Sequence, residues 1–72
     1  MSAKVRGRKF TIILDKEDKG YSAQCLELPS AISQGDTKEE AIENIKEAIE
    51  LVLEVLEEKA KKRGAKLEEV TV

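Results

Sequence analysis

Pro29-Ser30-Ala31-Ile32-Ser33-Gln34-Gly35-Asp36-Thr37-Lys38-Glu39-Glu40-Ala41-Ile42 is the stretch on which the fold turns. Pro29 donates no ladder hydrogen bond and restricts Leu28 before it, so a preceding strand has to end there. Ala31-Ile32-Ser33 is long enough for a short strand before Gly35 turns the chain. Thr37 with Glu40 three residues later forms a capping box, in which the threonine oxygen takes an orphan amide and the glutamate reaches back. Ala41, Ile42, Ile45, Ala48, Ile49, Val52, Leu53, Leu56 and Ala60 then recur at three- and four-residue steps and draw one apolar stripe. Lys59, Lys61, Lys62 and Arg63 suit the C-terminal end of the helix dipole, and Gly64 stands where a left-handed cap is wanted. The pattern predicts a helix over Thr37–Arg63 of about 40 Å. Leu51 and Val55 widen its apolar arc beyond what one small sheet covers.

Upstream, Phe10, Ile12 and Leu14 alternate with Thr11 and Ile13, which predicts a strand over Lys9–Leu14. The charged run Asp15–Gly20 reads as a hairpin loop. Tyr21–Leu26 returns, with Tyr21, Ala23 and Cys25 on one face and Ser22, Gln24 and Leu26 on the other. Lys4, Arg6, Arg8 and Lys9 are expected to be a solvated polar leader ahead of the first strand. Downstream of the helix, Val70 and Val72 alternate in Leu67–Val72, predicting a last strand at a sheet edge or against a neighbouring chain. The order is α+β: a meander of strands, one long helix over one face, and a final strand arriving after a crossover, giving a mixed sheet.

At 72 residues the chain is one domain, spanning 1–72, with a thin stability margin. Small domains gain margin from disulfides, metals or oligomerisation. One cysteine cannot close an intrachain bridge, and without histidine there is no ordinary zinc set. Self-association into a dimer or larger is the remaining route, with Leu51, Val55, Val70 and Val72 as the expected interface. Thirteen basic against fifteen acidic residues, for a net charge of −2, argue against a protein that coats nucleic acid. No stretch is apolar and long enough for a membrane span, and no signal peptide precedes the first strand, so a cytoplasmic location is expected.

The chain is poor in catalytic chemistry. Asp15, Glu17 and Asp18 lack the spaced register of a calcium loop. Cys25 and the serines have no histidine to activate them. The four glycines show no phosphate-loop spacing, and Phe10 and Tyr21 are too few for a base-stacking platform. No cofactor is expected, and a binding module is what remains.

One long stretch goes beyond generic pattern. Tyr21 and Ala23 before Glu27-Leu28-Pro29, then Ser33-Gln34-Gly35-Asp36-Thr37, then Glu39-Glu40-Ala41 and Glu47-Ala48 resemble, as a combination, the N-terminal domain of HicB-like antitoxins. The resemblance implies a partial RNase H-like β-β-β-α-β fold, assembly into dimers or higher oligomers, and a small basic HicA-type RNA-cleaving toxin as partner. Members often add a C-terminal DNA-binding domain; none follows Val72, so direct DNA binding is not expected. The implied mechanism is steric occlusion, with Glu43, Glu47, Glu50 and Glu54 meeting a basic toxin surface. A stand-alone oligomeric module without a toxin is the alternative. A metal-dependent nuclease would have to draw its carboxylates from Asp15, Glu17, Asp36 and Glu40, and Glu40 is already committed to the cap.

Overall fold

The computed structural model describes residues 1–62 and Gly64. Its elements are β1 (Ser2–Val5), β2 (Arg8–Glu17), β3 (Gly20–Cys25), β4 (Ile32–Gly35) and α1 (Lys38–Lys62). The strands form one sheet in the order β1-β2-β3-β4, every neighbouring pair antiparallel. The helix covers one face, and the architecture is the expected α+β. The final strand expected over Leu67–Val72, with Val70 and Val72, lies outside the described residues.

The basic leader proves to be a strand. Ala3 and Val5 point into the core while Lys4 points out, and Val5 pairs directly with Arg8. The connection is Arg6-Gly7 alone, both at positive φ (54° and 75°), the two-residue hairpin turn whose twist matches the strands it joins. The cations Lys4 and Lys9 face each other across that hairpin on the solvent side. The expected loop after Leu14 is likewise mostly strand. β2 runs on to Glu17, which pairs with Gly20, leaving only Asp18-Lys19 as the turn.

The core is the inward alternation: Ala3 and Val5, Phe10 and Ile12, Ala23 and Cys25, closed by Ala31 and by Ala41, Ile45 and Ile49 of the helix. Leu14, Tyr21 and Leu28 pack at its margins. Two glycines let backbones meet where a side chain would not fit. A Cβ on Gly20 would lie 2.4 Å from the Gly35 carbonyl oxygen, and one on Gly35 would lie 2.5 Å from the Ala41 nitrogen. The helix therefore starts directly on β4. Thr37 Oγ1 accepts the Glu40 amide at 3.1 Å, and the Glu40 carboxylate accepts the Asp36 amide at 3.4 Å. The carboxylate of Glu40 thus takes the amide one residue before the cap, where the simplest reciprocal form takes that of the cap itself.

Candidate partner surface

Between β3 and β4 the chain turns through Glu27-Leu28-Pro29, and each of these residues has a task. The Leu26 amide still donates to the Thr11 carbonyl at 2.9 Å. Past it, the Glu27 carboxylate takes the Thr11 amide at 2.7 Å and the Thr11 hydroxyl at 3.0 Å, continuing the ladder with a side chain. The Cys25 thiol donates to the same carboxylate at 3.7 Å. The Thr11 amide is the main reason the Glu27 carboxyl is held below its ordinary range; its burial opposes this but does not prevail. Pro29 sits second in a turn closed by the Ala31 amide on the Leu28 carbonyl at 2.8 Å. The Pro29 carbonyl accepts Gln24 Nε2 at 3.0 Å. Glu27-Leu28-Pro29 is thus a folding device, and Cys25, wholly buried, belongs to the core.

The helix is 25 residues long, but its buried residues, Ala41, Ile45 and Ile49, all lie in the first half. Beyond them Val52 and Leu53 pack half-buried against the core, and the β1–β2 turn adds a polar tie. Arg6 donates from Nε to Glu50 at 2.6 Å and from Nη1 to Glu57, the two carboxylates standing two helical turns apart. These two carboxylates hold the Arg6 guanidinium above its ordinary pKa, the bond to Glu57 being the larger cause. Arg6 thereby ties the hairpin tip to the overhanging end of the helix.

The four carboxylates expected to meet a partner differ in what they do. Glu50 is engaged by Arg6, and Glu43 lies 3.4 Å from Lys46 on its own helix. Glu47 and Glu54 form no ion pair among the described residues and are exposed. Leu51 lies between them in sequence and is 62% exposed, with Val55 one turn on at 51%. The structure thus joins two groups that the sequence reading kept apart: the acidic stripe flanks the apolar pair. Sequence spacing held the signal, since residues 47, 51, 54 and 55 recur at three- and four-residue steps.

Three of the four carboxylates that a nuclease would need share one cleft, and the fourth does not. Asp15 lies on the outer sheet face. Glu17, Asp36 and Glu40 line an open cleft of about 750 Å³ beside the helix start, with Glu40 turned to the Asp36 amide. Among the described residues no group of three or more Asp, Glu or Cys side chains is placed to hold a metal ion. Nor is any described helix long and apolar enough to cross a membrane.

Residues 10–71 match the family described as HicB-like antitoxin of bacterial toxin–antitoxin system. A UPF0150 protein of Synechocystis, ssr1765, is 58% identical over 48 residues, 65% of this chain, which spans only 61% of that relative. A Thermoplasma acidophilum UPF0150 protein, Ta0767, is 43% identical over 70 residues, covering 89% of this chain and 96% of the relative. One from Helicobacter pylori is 49% identical over 45 residues, 62% of each chain. No solved structure matches. The match spans residues 10–71, well over half of the sequence, and the chain belongs to the HicB-like antitoxin family.

Proposed function

We propose that the chain neutralises a small basic RNA-cleaving toxin of the HicA type by covering it, and that the contact is made by the overhanging half of α1. One observation carries the reading. Leu51 and Val55 are exposed on a helix whose far half buries nothing fully, and the free carboxylates Glu47 and Glu54 stand beside them. An apolar centre with a charged rim is the anatomy of a specific interface, and here the rim is acidic. A basic partner fits it. Leu51 and Val55, expected from sequence as a self-association surface, are assigned to this partner because of that rim. Glu43 and Glu50 belong to the same stripe but already have cationic partners. The sheet and helix are read as a partial RNase H-like fold without its metal chemistry, so the chain acts by binding and not by cleavage.

The Thermoplasma relative is matched over 96% of its own length, so that protein carries little besides this domain. This favours a second reading, a stand-alone oligomeric module without a toxin. The separating experiment isolates the tagged chain from its host and assays co-purifying proteins for ribonuclease activity. A small basic ribonuclease, inhibited stoichiometrically by the chain, supports the antitoxin reading. E47K/E54K should then weaken inhibition at low salt by roughly tenfold or more, and L51E by at least as much. Recovery of the chain alone supports the stand-alone module. Inhibition indifferent to all three changes moves the contact off this helix.

A further inference from the structure

Among the described residues nothing covers the face of the sheet turned away from the helix, and its pattern has a symmetry. By alternation the outward residues along β2 are Lys9, Thr11, Ile13, Asp15 and Glu17, the last at the strand end that also borders the cleft beside the helix start, while Phe10 and Ile12 turn into the core. Lys9 pairs with Lys4 of β1, so that end of the face carries two cations. Asp15 and Glu17 make the other end anionic. Among the described residues Lys9, Asp15 and Glu17 have no ion-pair partner. Between the two ends runs a row across three strands, Ile13–Gln24–Ile32, in direct register. Ile13 is 42% exposed and Ile32 62%, and Leu26, just past β3, is 59% exposed. These are large apolar side chains gathered on one face, which is not the ordinary scatter of single surface residues.

We infer that this face binds the same face of a second copy of the chain, with strands reversed, about a two-fold axis lying along the Ile13–Gln24–Ile32 row. A face-to-face pair of this kind sets each strand over its own counterpart running the other way. Ile13 then meets Ile13, and Ile32 meets Ile32. Lys9 and Glu17 each stand four residues from Ile13, about 14 Å at strand rise, on opposite sides. The axis therefore brings Lys9 of each copy over Glu17 of the other, and Thr11 over Asp15. The outer face of β2 is antisymmetric in charge about its one isoleucine, the condition a two-fold interface places on a charged strand. Packed sheets tolerate a modest angle between strand directions without losing this correspondence.

The same test of symmetry disfavours other occupants. A two-fold pairing of helices through Leu51 and Val55 would bring the flank bearing Glu47, Glu54 and Glu58 against its own copy, carboxylate to carboxylate. A basic partner on the sheet face would meet Lys4 and Lys9. Edge pairing through β4 is hindered, since that strand has only four residues and its Gln34 carbonyl is occupied by Asn44 Nδ2 at 2.7 Å. This inference does not depend on a toxin, and it gives a chain of this size the extra buried surface that it otherwise lacks.

Sedimentation velocity of the full chain, over a dilution series at low salt, tests it. Wild type should be a dimer. Each charge change is counted twice in a two-fold interface, so K9E or E17K alone should raise the dimer dissociation constant about tenfold. The double swap K9E/E17K rebuilds both pairs with reversed polarity and should return the constant to near the wild-type value. I13E should give a folded monomer, its fold checked by circular dichroism. A monomeric wild type overturns the inference, as does a dimer that survives I13E or one that L51E dissociates instead. Failure of the double swap to rescue the single changes overturns the reversed-strand register.

Discussion

Replacing Gly35 by alanine tests whether the helix truly starts on the backbone of β4. The added Cβ would stand 2.5 Å from the Ala41 nitrogen, 2.8 Å from the Glu40 carbonyl carbon and 2.9 Å from Glu40 Cβ. Two of these three atoms are backbone, in a turn already fixed by the Ala41 amide on the Thr37 carbonyl at 3.0 Å, so no side-chain rotation relieves the contact. The first turn has to lift by about 0.9 Å to reach the 3.4 Å of ordinary van der Waals contact. A gap of that size forfeits a quarter to a half of each dispersion contact beneath it, chiefly those of Ala41 and Ile45. Overpacking of this kind costs about 1–3 kcal/mol, to which the lost contacts add. Against it stands the smaller entropy of the unfolded alanine chain, about 0.4–1 kcal/mol, which is realised because Gly35 does not have a positive φ. The net expectation is a loss of about 3 kcal/mol, or a fall in Tm of roughly 12–24 °C for a domain of this size.

Urea denaturation followed by circular dichroism reads the change, with Gly7→Ala as the contrast. Gly7 has φ +75° and nothing within 4 Å of a Cβ, so alanine there meets only left-handed backbone strain, about 1 kcal/mol. The two glycines thus separate crowding from conformation. A Gly35→Ala protein within about 0.5 kcal/mol of wild type, the ordinary range for a surface change, would refute the close approach. So would a Gly7→Ala protein destabilised as much.

Two further expectations rest on side-chain staples. Glu27→Gln should lower stability by about 1 kcal/mol at neutral pH, discounted for solvent exposure of the carboxylate. The folded-state pKa of Glu27 is lowered from 4.5, so its contribution is present above that value and lost as pH falls through the lower folded value; the gap between Glu27→Gln and wild type, read as Tm against pH, should therefore close in acid. Arg6→Ala should speed amide exchange in the helix beyond Leu53 while leaving Ile45 and Ile49 protected. Added salt should narrow that difference, and uniform loss of protection along the helix would show that Arg6 does more than hold the overhang.

How much of this was legible in the sequence depended on which signals were local. The helix was, because its cap and apolar stripe are written in residues three and four apart: Thr37 caps it as expected, and it runs Lys38–Lys62 where Thr37–Arg63 was expected. The faces of β2 and β3 were legible from alternation, down to Leu26 pointing away from the core. β1 was misread because four cations among Lys4–Lys9 outweighed two small apolar residues, although Ala3 and Val5 alternate and Arg6-Gly7 suits a two-residue turn. Those cations are a reason for an edge strand to stay soluble, not a reason against a strand. The role of Glu27 could not be read, since its partner Thr11 lies 16 residues away and only strand register brings them together. The same holds for Arg6, whose two carboxylates are 44 and 51 residues downstream. The antisymmetry of Lys9, Ile13 and Glu17 is the opposite case. It is written along a single strand, yet it carries no meaning until the structure shows that those three residues share the face the helix leaves uncovered.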